Sequence, residues 1–313
     1  MAFPFADESR SNRAAGLAER VRELKRELDA VILAHNYQWP DVQDAADFVG
    51  DSLELSRQAT KVRARVIVFC GVHFMAETAA ILNPERTVLL AEGTAGCPMA
   101  DMIDVDSLAE WKARYPDAAV VTYVNSSAAV KALSDVCCTS ANAVKVVQAI
   151  PQRRVLFVPD QNLARFVASK TDKEVIPYPG FCVTHHRLRA EQVLAAKEAR
   201  PGAVVLAHPE CREEVWALAD AVLSTSQMLR YVAESPATTF IIATEWGILH
   251  RMQKENPQKQ FFAASNGLVC PNMKKTTLES VVRTMERREN VVRVAEDIRV
   301  RAAMALQRML EFA

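Results

Sequence analysis

The chain has 313 residues, half of them hydrophobic and 24% charged, with 38 basic residues balanced by 38 acidic ones; this is ordinary globular composition, long enough for two or three domains. Zero net charge excludes a protein built mainly to neutralise nucleic-acid phosphates. No apolar run reaches the ~18 residues of a membrane span, and MAFPFADESRSNR lacks the basic start and apolar stretch of a secretory leader, so the expectation is a cytoplasmic protein whose seven cysteines are thiols or ligands rather than disulfides.

In chain order, LAERVRELKRELDA is a leading helix, followed by a β-branched run, AVILAHNY, at residues 30–37. A lead-in, ADFVGDS, ends at Ser52 and opens a helical stretch, LELSRQATKV. Then come an apolar run (VIVFC), a second helix (MAETAAILN) and a last strand and turn, VLLAEGTAGC, ending at Cys97. After a break near Lys112–Asp117 the order repeats. AVVTYVN carries Tyr123 and Asn125, SDVCCTS ends at Ser140, and ANAVKVVQAI, VLFVPD and NLARFVASK lead to VIPYPGFC at Cys182. After a second break near Ala199–Gly202 it repeats again. AVVLAHPE carries His208 and Glu210, ADAVLST ends at Thr225, and SQMLRYVAES, FIIATEW and ILHRMQKEN lead to FFAASNGLVC at Cys270. A tail, residues 276–313, is rich in Arg, Glu, Val and Met at helical spacing and is expected to pack back on the first domain.

His35, Tyr123 and His208 recur at a nearly constant interval, and the step from each to its small hydroxyl residue (Ser52, Ser140 and Thr225) is the same in all three units. Three β-α-β-α-β units of about 86 residues predict an α/β protein of three pseudo-symmetric, three-layer αβα domains with parallel sheets around a central active site. The expected domains are residues 18–112, 113–199 and 200–275, followed by the tail. The nine glycines contain no G-x-G pair, so neither the dinucleotide nor the P-loop fingerprint is present.

Ligands of open parallel sheets bind beyond the carboxyl ends of the strands, and all the in-phase residues fall there. Cys97, Cys182 and Cys270 each follow a glycine-containing turn, whereas Cys70, Cys137, Cys138 and Cys211 read as small buried hydrophobes. Three converging thiolates without a C-x-x-C pair suit a soft metal centre with one open position. A four-iron cluster answers that description; a catalytic zinc is the competing reading. Ser52, Ser140 and Thr225 read as helix starts, either as N-caps or as donors to a bound anion. Six strand-end groups (His35, Tyr37, Tyr123, Asn125, His208 and Glu210) form a set suited to acid–base chemistry.

The motifs LAHNYQ, GDSLELSR, CGVHFMAETAAILNP, TYVNSSAAVKA, CCTSANAV, FVPDQNLARFV, PGFC, HPEC, STSQM, ATEWGILHR and VCPNMKK run through nearly the whole chain, and together they resemble the quinolinate synthases. The resemblance implies three homologous α/β domains around one site. It implies condensation of iminoaspartate (iminosuccinate) with dihydroxyacetone phosphate to quinolinate for NAD synthesis, with release of phosphate and water. It also implies a [4Fe-4S] cluster held by Cys97, Cys182 and Cys270, with one open iron acting as a Lewis acid. By motif, the substrate site is His35, Ser52, Tyr123, Val124, Asn125, Ser140, His208, Pro209, Glu210 and Thr225. Glu210 and Tyr37 are the expected proton-transfer groups, with His35 and His208 orienting or donating. A transient hand-off of iminoaspartate from L-aspartate oxidase is the implied protein partnership. Some members carry a C-x-x-C-x-x-C run ending at the third ligand; Ala264 and Gly267 stand there in this chain, which excludes a disulfide switch. Diphthamide-forming enzymes also bring one cysteine from each of three α/β domains to a cluster, but HNYQ, YVN and HPEC favour the quinolinate synthases. An iron–sulfur redox sensor would leave the six polar strand ends without a role.

Overall fold

The computed structural model describes residues 8–312. Residues 1–7, which form the start of the segment read as lacking a leader, and Ala313 lie outside the described residues. Among the described residues no helix is long and apolar enough to cross a membrane.

Twelve strands form three four-stranded sheets of the same topology. The first contains β1 (Ala30–His35), β2 (Phe48–Gly50), β3 (Val66–Cys70) and β4 (Thr87–Leu90), in the order β2-β1-β3-β4. The second contains β5 (Ala119–Tyr123), β6 (Val136–Cys138), β7 (Arg154–Val158) and β8 (Glu174–Pro177), in the order β6-β5-β7-β8. The third contains β9 (Val204–Ala207), β10 (Ala221–Val222), β11 (Thr239–Ala243) and β12 (Gln260–Ala263), in the order β10-β9-β11-β12. Every pairing between these strands is parallel. The runs VILA, VVT and VVLA lack polar alternation because helices cover both faces of each sheet. In each sheet the strand order reverses beside the first strand of the domain, which places His35, Tyr123 and His208 at the topological switch points.

Each unit has one more strand than the sequence pattern predicts. β2, β6 and β10 are two or three residues long, too short for a periodic signal. They are held by a device that recurs in every domain. Asp47, Asp135 and Asp220 each accept a backbone N–H from the central strand (Ile32 at 2.8 Å, Val120 at 2.7 Å, Val205 at 2.7 Å). Each aspartate returns its own N–H to that residue's carbonyl. A carboxylate thus staples the edge strand onto the central one.

A continuous apolar cluster runs from Leu33, Ile67 and Phe69 of the first domain to Val121, Phe157 and Leu163 of the second. The third domain has two apolar clusters of its own, one on each face of its sheet. The tail divides between the first two domains. Helix Leu278–Arg287 packs on the leading helix, Glu8–Leu28, and beside β3 and β4. Helix Glu296–Glu311 instead lies mainly on β6 and helix Ala128–Lys131 of the second domain, where Ala302, Ala305, Leu306 and Met309 enter the shared cluster. The expectation that the whole tail covers the first domain is corrected to that extent.

The staple gives a stability prediction. A hydrogen bond to a charged group contributes about 1.5–3 kcal/mol, so Asp220→Ala should lower the urea unfolding free energy by an amount in that range. Asp220→Asn, which keeps an acceptor oxygen, should lose less.

Candidate active site

The carboxyl ends of the three sheets open into one cavity, lined by residues of all three domains. Twelve of the residues singled out from the sequence lie on its wall: His35, Tyr37, Ser52, Cys97, Tyr123, Asn125, Ser140, Cys182, His208, Glu210, Thr225 and Cys270. Val124 and Pro209 are not on this wall. Val124 instead borders a small apolar space with Leu55, Phe69 and Ala79 and gives its N–H to Cys138 O.

The three cysteines are presented alike. Each carbonyl accepts the N–H four positions on, from Asp101 (3.2 Å), His186 (2.8 Å) and Lys274 (3.2 Å), so each thiol opens a single helical turn. In two domains a carboxylate at the end of the third strand fixes the cysteine backbone. Asp160 Oδ2 accepts Cys182 N–H at 3.0 Å, and Glu245 Oε1 accepts Cys270 N–H at 3.2 Å. Val72 occupies the equivalent place in the first domain. Burial, and then the nearness of Cys270, push the Cys97 thiol up to about 12. Burial and the Glu210 charge push Cys182 up, with Cys270 and Cys97 adding to the shift; burial likewise raises Cys270. These thiols lie close enough to repel one another as thiolates, so a soft cationic centre is what would stabilise all three in ionised form. The remaining cysteines are buried, as expected of small hydrophobes. A second donor group overlaps the first: ligand atoms of Cys182, His185 and Glu210 lie within 4.8 Å of one another and could hold a metal ion.

The polar strand ends are organised by backbone donors. His35 Nδ1 accepts the Tyr37 N–H at 3.2 Å, and His208 Nδ1 accepts the Glu210 N–H at 3.3 Å. An accepting Nδ1 carries no proton, so in both neutral rings the N–H is on Nε2. Burial pushes both histidines down to about 3. Tyr123 Oη donates to Glu210 Oε1 at 2.5 Å, while His185 Nδ1 stands 2.6 Å from Glu210 Oε2. Burial alone would raise the Glu210 carboxyl, but these imidazole and phenol contacts hold it well below the usual carboxylate range. On its other side, His185 Nε2 meets Thr244 Oγ1 at 2.8 Å, and Thr244 Oγ1 meets Tyr37 Oη at 2.6 Å. Tyr37, Thr244, His185, Glu210 and Tyr123 therefore form one buried hydrogen-bonded chain across all three domains. Burial and the Glu210 charge hold both phenols well above their ordinary range, so both remain protonated donors.

The hydroxyl residues are not the helix caps. Asp51 caps helix Ser52–Lys61 and Ser224 caps helix Thr225–Glu234; Ser52 and Thr225 are the first helical residues. Ser140 precedes helix Ala143–Ala149 by more than one residue, and Asn142 flanks that helix. The N-cap reading is corrected because neighbouring side chains take that role, leaving the three hydroxyls on the cavity wall. The helix starts are tied to one another. Ser226 Oγ donates to Asp51 Oδ2 at 2.5 Å, Asn36 Nδ2 to Thr225 Oγ1 at 3.1 Å, and Gln227 Nε2 to Ala141 O at 3.2 Å. Asn125 Oδ1 is buried without a hydrogen-bond partner among the described residues, which marks it as an acceptor for a ligand donor.

Sequence reasoning missed His185, Thr244, Glu245 and Asp160. His185 was readable as the end of a C-x-x-H spacing from Cys182. Asp160 and Glu245 share a phase at the third-strand ends, in VPD and ATE, one repeat apart.

The family model described as "Quinolinate synthetase A protein" matches residues 19–311. The quinolinate synthase of Thermodesulfovibrio yellowstonii is 56% identical over 293 residues, covering 93% of this chain and 97% of that protein. That of Geobacter metallireducens is 56% identical over 294 residues, covering 94% and 97%. Quinolinate synthase 1 of Methanosarcina acetivorans is 54% identical over 296 residues, covering 95% and 97%.

The buried histidines set an acid limit. Between their ordinary value of 6.5 and about 3, the unfolded chain binds a proton on each imidazole that the folded chain excludes. Stability therefore falls as pH drops through that window, by at most about 1.4 kcal/mol per pH unit for each ring. Urea midpoints between pH 6.5 and 4 should decline, and the decline should be shallower in His208→Gln.

Proposed function

The chain belongs to the quinolinate synthase family, and from that premise we propose that it condenses iminoaspartate with dihydroxyacetone phosphate to quinolinate in NAD biosynthesis, releasing phosphate and water. The observation that carries this reading is the convergence of three equivalent cysteine turns on the cavity that also holds the buried Tyr37–Glu210 chain. We place the reaction in the cytoplasm, with iminoaspartate handed over by L-aspartate oxidase.

The donor set fits a [4Fe-4S] cluster. Cys97, Cys182 and Cys270 would hold three irons, and all-thiolate ligation from three separate turns suits iron–sulfur chemistry better than a hydrolytic zinc, which thiolates would leave weakly acidic. When bound, such a cluster supplies Lewis acidity at the iron that no cysteine holds.

The chain's own residues do the rest. Ser52 and Thr225 open ten-residue helices, where the N–H groups left over by the Asp51 and Ser224 caps favour carboxylate and phosphate oxygens, and the Ser140 hydroxyl adds a third donor. Asn125 Oδ1 accepts a substrate N–H or O–H. His35 and His208 present Nε2–H donors, which orient oxygen atoms without adding charge. Within the buried chain the bond directions are consistent: the Tyr37 phenol donates to Thr244, the Thr244 hydroxyl to His185 Nε2, and His185 Nδ1–H to Glu210. These donors satisfy and orient the ionised Glu210, which accepts the proton lost from carbon during dehydration while the Tyr37 phenol keeps its own.

Anaerobic incubation of iron-loaded protein with iminoaspartate and dihydroxyacetone phosphate should yield quinolinate. Absence of quinolinate from cluster-replete protein would reject the reading. Cys97→Ala, Cys182→Ala and Cys270→Ala should each lose bound iron and activity, while Cys70→Ala keeps both. Glu210→Gln preserves shape and removes basicity, so kcat should fall by about 10²–10⁴-fold with iron content intact. A kcat within a few fold of wild type would remove the proton-accepting role from Glu210.

A further inference from the structure

We infer that Glu245, on the cavity wall, and Lys274, behind it, are positioning residues that hold the Tyr37 phenol and the Cys270 thiol in register across the join between the first and third domains. The inference rests on the function proposed above.

The Lys274 side chain is 7% exposed and that of Glu245 0%, with Nζ 3.0 Å from Oε1. Burying both charges is expensive, and apolar side chains of similar volume would fill the space as well or better. What apolar side chains lack is directional donation. The ammonium also donates to Tyr37 O at 2.5 Å and lies over the Trp246 ring, 4.1 Å from its centroid. The carboxylate accepts Cys270 N–H on Oε1 (3.2 Å) and Gly247 N–H on Oε2 (2.7 Å).

Two closed loops result. The Tyr37 phenol reaches Thr244, which is bonded to Glu245; Glu245 pairs with Lys274; and Lys274 returns to the Tyr37 carbonyl. In the second, Glu245 grips the Cys270 N–H, and Cys270 accepts the Lys274 N–H, closing the turn that carries the lysine. Trp39 adds a strut, donating Nε1–H to Lys274 O at 2.8 Å. Gly247 independently records how tightly these parts meet. A Cβ there would stand 2.8 Å from Glu245 Oε2, Lys274 Nζ and the Tyr37 carbonyl carbon, so no larger residue can occupy it without displacing all three. The second domain does the corresponding work differently: Asp160 accepts three backbone N–H groups, from Cys182, Asn162 and Leu163.

The test compares anaerobically prepared, iron-loaded wild type with Lys274→Met and with the double variant Lys274→Met/Glu245→Leu. Thermal midpoint, rate of iron release to a chelator, kcat and KM are measured on each. Loss of a group that orients a metal ligand typically costs about 10–100-fold in metal affinity or activity. The single variant should release iron faster and turn over more slowly by factors in that range, with KM within a few fold of wild type. The double variant should regain the thermal midpoint, because no buried charge is left unpaired, while its iron release stays fast and its kcat low. Recovery of iron retention and kcat along with stability would reduce the pair to structural filling and overturn the inference, as would wild-type release and kcat in the single variant. A single variant too unstable to assay leaves the double variant to decide by the same criteria. Wild-type protein that binds iron but forms no quinolinate would reject the proposed reaction instead; the iron-release comparison would still decide the role of the pair.

Discussion

The Glu210 carboxylate is buried where the three sheets converge, at a place where an unpaired charge would cost several kcal/mol. Its two oxygens are satisfied by groups of the second domain, the Tyr123 phenol and the His185 imidazole, and its carbonyl accepts Asn162 Nδ2–H. Glu210 itself belongs to the third domain. The carboxylate can therefore be folded and ionised only when those domains are docked. The same contact fixes His185, which fixes Thr244 and so sets the position of the Tyr37 phenol. Site assembly and domain assembly are one event, and the buried Glu210 charge enforces the docking.

The domain joins differ in kind. The first and second domains share a continuous apolar cluster, sealed by helix Glu296–Glu311. The third domain meets the first largely through hydrogen bonds: Ser226 to Asp51, Asn36 to Thr225, Arg251 to Val49 O, and Gln43 to Gly247 O. Apolar burial gives strong but non-directional attraction, whereas hydrogen bonds specify geometry at modest net energy. The directional join lies where Tyr37 meets Thr244 and Asn36 meets Thr225.

Much of this arrangement was legible in the residues because the repeat is nearly uniform. One constant step from strand end to hydroxyl, seen in all three units, located both the strand ends and the helix starts, and the cysteine phase located the third group. The limits of that reading have physical causes. The edge strands β2, β6 and β10 are too short to alternate, and they exist because of an aspartate staple that makes no periodic apolar pattern. Asp51 and Ser224 immediately precede the hydroxyl residues Ser52 and Thr225, and only backbone dihedral angles separate an N-cap from an N1 residue. His185 was hidden because its counterparts in the other turns, Ala100 and Met273, carry no chemistry. A search for residues alike in all three units cannot find a group that matters because it occurs once.

Groups that occur once give a pseudo-symmetric cavity its direction. The backbone repeats closely: three sheets of one topology, three staples and three cysteine turns closed by the same hydrogen bond. The side chains at equivalent places do not repeat. The strand ends are His35, Tyr123 and His208; two residues on are Tyr37, Asn125 and Glu210; the third-strand ends carry Val72, Asp160 and Glu245. The threefold features present three thiols to one cavity. Features that occur once break the symmetry in charge and proton content. The Glu210 carboxylate is held ionised at one side of the cavity, between the Tyr123 phenol and a His185–Thr244 link to the Tyr37 phenol. A uniform set of strand-end groups would bind a ligand equally well in three orientations, and no one carbon would face a base. Diverging at these few positions while the backbone stays fixed turns a symmetric pocket into a directional one without altering the fold that supports it.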